Sequence, residues 1–242
     1  MSCRFVRSAV SFSAFAFLLV SSATPASAPS FSNEHLRYSV NWPSGLSLGE
    51  GNLSASRSTP AQDSPGRLDL AFNLDAGIPG FSVSDQYHSE ASADFCSVEF
   101  QKKLSHGKKT ADETTRFDNE AQTATRETAG GGKSDLKMSS CGKDALTYLY
   151  FVRRELSQGR LPPTQTVFFG APYQIHVEFG GTMSIKLGDK PVEADKILAN
   201  LKGPSSDINF EVYFLKDQAR TPVLVKVPLT LGTFSMELVR EQ

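Results

Sequence analysis

The chain has 242 residues, 39% hydrophobic and 21% charged, with 25 Lys and Arg against 26 Asp and Glu. Near-neutral charge excludes a basic nucleic-acid binder, the apolar content excludes a disordered acidic chain, and the length suits one large domain or two small ones. Seventeen Phe, eighteen Gly and thirteen Pro beside four Met and one Trp point to short elements punctuated by turns.

Residues 1–28 read as a secretory leader. Arg4 and Arg7 give it a positive start, and Ser8 separates them from an apolar block at 9–20 that is too short to span a membrane. Ala26-Ser27-Ala28 has the A-x-A form, but Pro29 follows it, so cleavage is placed between 23 and 28. Cleavage after Ala28 leaves 214 residues, with 23 basic against 26 acidic. The expected address is the periplasm or the medium, with no transmembrane segment in the mature chain. Residues 29–35 are expected to be disordered and 36–241 to form a single β-rich domain. Cys3 leaves with the leader. The remaining pair, Cys96 and Cys141, is expected to form a disulfide in an oxidising compartment, worth about 4 kcal/mol by loop entropy.

Along the mature chain, period-two alternation marks the first strands at Leu36, Tyr38, Val40 and Trp42, and again at Leu68, Leu70, Phe72 and Leu74. Between them, Gly45-Leu46-Ser47-Leu48-Gly49 matches the G-x-S-x-G pattern of a hydrolase. That motif needs a helix directly after its serine. Here Gly49, Gly51 and Leu53-Ser54-Ala55-Ser56 continue as strand, so the glycines read as a bend or bulge. From Lys102 to Lys137 the chain is polar and predicts long exposed hairpins with a flexible tip. Lys102, Lys103, Lys108 and Lys109 around His106-Gly107 make a basic spot, read as a soluble tip, with anionic lipid contact as the alternative. Gly130-Gly131-Gly132-Lys133-Ser134 resembles the end of a phosphate loop, yet Glu127 stands where the first glycine belongs and would repel phosphate.

From Asp144 to Leu156 the rhythm changes. Leu146, Leu149, Tyr150 and Leu156 recur at helical spacing, Asp144 caps the first turn and Gly159 stands past the end, predicting one helix over 144–157. Arg153 falls on or beside that stripe, so it needs a carboxylate partner; a ligand anion is the lesser alternative. Leu161-Pro162-Pro163 forces an extended connection. Strands resume at 175–179, 183–187, 208–214, 223–229 and 234–238. One-sided alternation of this kind predicts an all-β, mainly antiparallel fold. The expected form is a large curved sheet, a half-barrel or flattened barrel, with the helix covering its concave face or plugging its open end.

Tyr38-Ser39-Val40-Asn41-Trp42 with Gly45, Gly49 and Gly51, the helix Asp144-Ala145-Leu146-Thr147-Tyr148-Leu149-Tyr150-Phe151-Val152-Arg153 closed by Gly159, and Asp217 to Val223 with Arg220-Thr221-Pro222 resemble the bacterial exported family known as domain of unknown function 3108. The resemblance spans about Leu36 to Glu241, with Thr147 where a serine is usual. It implies an exported, mainly antiparallel β protein of the bacterial envelope and assigns no activity.

The four histidines, His35, His88, His106 and His176, stand singly, without metal-ligand spacing. No catalytic, metal or cofactor site is expected. The sequence therefore suggests a non-catalytic envelope protein that holds an apolar or amphipathic, lipid-like ligand in a β concavity. Phe81, Phe168, Phe169, Tyr173 and Phe179 are the candidate lining. The alternative is a structural or assembly partner of another envelope protein, joined through a strand edge. A hydrolase would rest on Ser47 alone.

Overall fold

Among the described residues, fifteen strands account for the alternation and one helix interrupts it. The computed structural model describes residues 31–58, 66–204, 207–230 and 232–240; the leader lies outside the described residues. A first antiparallel meander runs through β1 (Glu34–Asn41), β2 (Ser47–Arg57), β3 (Arg67–Ile78) and β4 (Phe81–Ser92). It continues with β5 (Ser97–His106), β6 (Lys109–Asp118), β7 (Thr123–Thr128) and β8 (Lys133–Lys137). The short β9 (Lys143–Asp144) feeds α1 (Ala145–Ser157), and β10 (Gln165–Phe168) returns parallel to β9. A second meander follows: β11 (Pro172–Leu187), β12 (Lys190–Lys202), β13 (Asp207–Leu215), β14 (Pro222–Leu229) and β15 (Gly232–Leu238). Because β15 pairs with β1, the two meanders join into one sheet that begins at β8 and ends at β9.

That sheet curls until its last strands tuck inside its first half. The Ser97 amide donates to the Gly142 carbonyl at 2.9 Å, so the chain entering β9 meets the start of β5. Phe168 stacks edge-on against Phe117, and Phe169 packs on Tyr87 and Phe100, covering the inner face of β4–β6. The helix lies between the two meanders. Leu146 and Tyr150 join the cluster of Leu68, Leu70 and Phe100, while Tyr148, Val152 and Leu156 join Val167, Ile175 and Ile197. A helix enclosed by a curled sheet is buried around most of its girth, so the stripe seen in sequence is only part of its contact surface.

Two boundaries differ from the sequence reading. The segment expected to be disordered, 29–35, is ordered in its described part: Phe31 is 1% exposed against Phe95 and Tyr150, and Glu34 already belongs to β1. The strands expected at 175–179 and 183–187 are one strand, interrupted by a bulge between Phe179 and Thr182 where Gly181 takes φ +97°.

Ser47 opens β2 and shares a hydrogen bond with the Ser39 hydroxyl at 3.3 Å; strand, not helix, follows it. Gly49 is required by close approach of β2 and β3, since a Cβ there would sit 1.9 Å from the Asp75 carbonyl oxygen.

Candidate functional site: an apolar cavity beneath the helix

The helix that roofs the cavity is fixed first at its N-terminus. Asp144 is fully buried and accepts from the Leu146 and Thr147 amides at 2.8 and 3.0 Å, as a capping residue does. Its second oxygen accepts from Ser89 and Ser97, both at 2.6 Å, and from Thr147 Oγ1 at 2.8 Å. Burial pushes this carboxyl up, and the hydrogen bonds from Ser89, Ser97 and Thr147 oppose the shift. The cap was legible in sequence; its anchors on β4 and β5 were not. At the other end Gly159, at φ +71°, donates its amide to Leu156 and stops the helix.

Arg153 fixes the middle. Its side chain is wholly buried, with Nη1 and Nη2 donating to Glu34 at 2.7 and 2.6 Å and Nε donating to the Ala219 carbonyl at 3.0 Å. The guanidinium also lies over the rings of Phe31 and Tyr150. The carboxylate this cation requires comes from the segment expected to be disordered. No anion site is left for it to serve.

Between helix and sheet is an apolar cavity of about 230 Å³. Leu146, Tyr148, Leu149 and Val152 form its roof, Val177, Ile197, Ala199 and Val212 its floor, and Tyr38, Leu53 and Phe72 one wall. One polar feature stands out. The buried Tyr148 hydroxyl has no hydrogen-bond partner, the one such side-chain atom among the described residues, and burial pushes its phenol well above the ordinary tyrosine range.

Burial grades along the inner face. On β3 the inward row begins with Leu68 and Leu70, both fully buried, passes through half-buried Phe72, Leu74 and Ala76, and ends at Ile78, 46% exposed. The concavity is thus closed at one end and open at the rim formed by the β3–β4 turn.

Near that opening the inner face turns polar. Lys102, expected in an exposed basic spot, points inward instead, because Phe100, Lys102 and Leu104 alternate onto the core side of β5. Its ammonium is 3.1 Å from Glu113, which Arg126 also grips at 2.6 Å. Arg126 and Lys102 hold the Glu113 carboxyl below the ordinary glutamate value, in spite of partial burial. A depressed folded-state value adds stability above about pH 4.3, the unfolded value, and that stability is lost as pH falls through the folded value. The melting temperature of wild type should therefore exceed that of Glu113→Gln at pH 7, and the gap should close in a calorimetric series taken down toward pH 3.

The aromatic residues suggested by composition do not line the cavity. Phe81 and Phe179 are about half exposed, Phe168 is core, Phe169 is stacked on Tyr87, and Tyr173 is absent from the lining. Other rings, Tyr38, Phe72, Tyr148, Phe210 and Phe214, share the lining with the aliphatic Leu146, Val152, Val177, Ile197 and Val212. The histidines remain apart: His88 pairs with Asp69, His106 with Asp85 and His176 with Glu178. No cluster of three metal-binding side chains occurs among the described residues. Cys96 and Cys141 form a disulfide.

Comparison with solved structures finds a beta-barrel-like protein of domain of unknown function DUF1849 from Brucella abortus, with a TM-score of 0.58 and 9% identity over 85% of this chain and 95% of that one. At that identity the likeness extends to the fold alone. No curated protein matches the sequence. The model of the family described as "Protein of unknown function (DUF3108)" matches residues 37–239, all but the first three residues of the curled sheet, and this chain belongs to that family.

Proposed function

We propose that this is an exported, non-catalytic envelope protein that holds the apolar end of an amphipathic ligand between its helix and its curled sheet. The cavity carries this reading: it is walled almost wholly by aliphatic and aromatic carbon, and Tyr148, whose buried hydroxyl has no partner, is one of its lining residues. Its 230 Å³ falls below the roughly 300–1,000 Å³ of sites that enclose a whole ligand. The ligand is therefore partly enclosed, with its remainder along the half-buried inner row toward the rim. The disulfide supports an oxidising compartment, and Tyr148 offers a hydrogen bond to a single polar atom on the ligand.

Tyr148→Phe separates these roles. An unsatisfied buried hydroxyl costs roughly 1–3 kcal/mol, so the variant without ligand should melt higher than wild type. Titration with a fluorescent fatty acid should show saturable binding to wild type and weaker binding to Tyr148→Phe. A fatty acid that binds neither protein removes the support for this reading.

The second reading, assembly through a strand edge, has β8 in its favour, since that strand ends the sheet. Its five residues include Lys133 and Lys137, the kind of short charged edge that discourages strand addition.

A further inference from the structure

Eight large hydrophobic side chains are exposed among the described residues, and five of them share one rim of the sheet: Leu46, Ile78, Phe81, Ile208 and Leu229. The rim is continuous. The β14–β15, β1–β2, β3–β4 and β5–β6 hairpins follow one another in the strand order, with all four turns on the same side. Adjacent turns also touch. A Cβ on Gly232 would sit 2.7 Å from Pro43, and one on Gly107 would sit 3.2 Å from the Phe81 ring. Strand spacing places Leu229, Leu46 and Phe81 roughly 10 Å apart along the rim. The next turn carries Lys108 and Lys109, both exposed and without a carboxylate partner among the described residues.

We propose that this rim docks on the surface of an anionic lipid bilayer. Leu46 is 66% and Leu229 57% exposed, each at the tip of a hairpin. Single apolar side chains spaced in this way do not make the contiguous core of a protein interface, but each can enter the headgroup region independently. Trp42, packed edge-on against Phe234 just behind Leu46, is the amphipathic aromatic such a boundary favours. Lys108 and Lys109 supply attraction to anionic headgroups. The inner row of β3 emerges at the same rim through Ile78, so the concavity faces the bilayer when the rim is seated. This goes beyond ligand holding and stands without it.

The test is flotation of the full chain with vesicles of phosphatidylcholine and phosphatidylglycerol at 3:1, and with phosphatidylcholine alone. Wild type should float with the anionic vesicles and less with the neutral ones. Leu46→Ser/Phe81→Ser/Leu229→Ser should remain at the bottom of the gradient. Lys108→Glu/Lys109→Glu should bind anionic vesicles about tenfold or more weakly and neutral ones as wild type does. Leu161→Ser/Phe179→Ser, altered away from the rim, should float as wild type.

Trp42 gives a readout independent of these variants, being the chain's one tryptophan. Its emission should shift to the blue on anionic vesicles and be quenched by lipids brominated near the headgroup. Wild type that stays at the bottom, a triple rim variant that floats unchanged, or self-association through the rim in the absence of lipid would overturn the proposal. The fatty-acid titration reads the cavity separately, so failure here leaves the ligand reading standing.

Discussion

Glu34→Ala should lower the melting temperature by about 6–20 °C. Removing one member of a buried pair costs about 3–5 kcal/mol, because the other charge is left in a dry interior, and each kcal/mol shifts a chain of this size by about 2–4 °C. Here the stranded group would be the Arg153 guanidinium, with no exposure and with Phe31 and Tyr150 against it. The Ala219 carbonyl would remain its one hydrogen-bonding partner among the protein contacts described above. Replacing both members, as Glu34→Leu/Arg153→Met, should recover most of the loss, since an apolar pair incurs no charge-burial cost. Differential scanning calorimetry of wild type, both single variants and the double variant measures the coupling. A drop of under 2 °C for Glu34→Ala would show that the pair does not hold the helix. The pair matters to the site because it joins α1 to β1 and to the turn before β14, and so sets the height of the cavity roof.

Cys96→Ala/Cys141→Ala should be nearly as damaging. The bridge closes 45 residues, for which loop entropy gives about 4 kcal/mol, or about 8–16 °C at the same conversion. It ties the β4–β5 turn to the segment that enters β9, where the sheet's end tucks inside its first half. Lys143 adds to this corner, its ammonium 3.2 Å from Cys141 Sγ and over the Phe151 ring, while burial and the nearby Arg154 charge lower its pKa. Reduction of wild type should reproduce the loss in the alanine variant; equal melting temperatures with and without reductant would contradict it.

What the sequence made legible was local. Asp144 and Gly159 bracket the helix through capping chemistry within one turn, and alternation at Leu68 to Leu74 or Val223 to Leu229 assigns a strand and its inward face. Lys102 was legible by the same rule, lying in step with Phe100 and Leu104, but the density of lysines around it made the whole stretch look solvated. Contacts that join distant segments left no such mark. Glu34 and Arg153 are 119 residues apart, and Ser89 and Ser97 look like ordinary strand serines until the curl brings them to Asp144. The cavity is harder still, since it arises from what several strands leave unfilled. Rings do line that space, but they are Tyr38, Phe72, Tyr148, Phe210 and Phe214 rather than the five that composition suggested.

The central claim is that the space beneath the helix is a ligand site. Native mass spectrometry of the full-length gene product, purified without detergent from its own cells, tests it most directly. The predicted spectrum shows the processed protein with a stoichiometric adduct of lipid size that is lost on collisional activation and depleted in Tyr148→Phe. A single apo mass under the same gentle conditions would contradict the account.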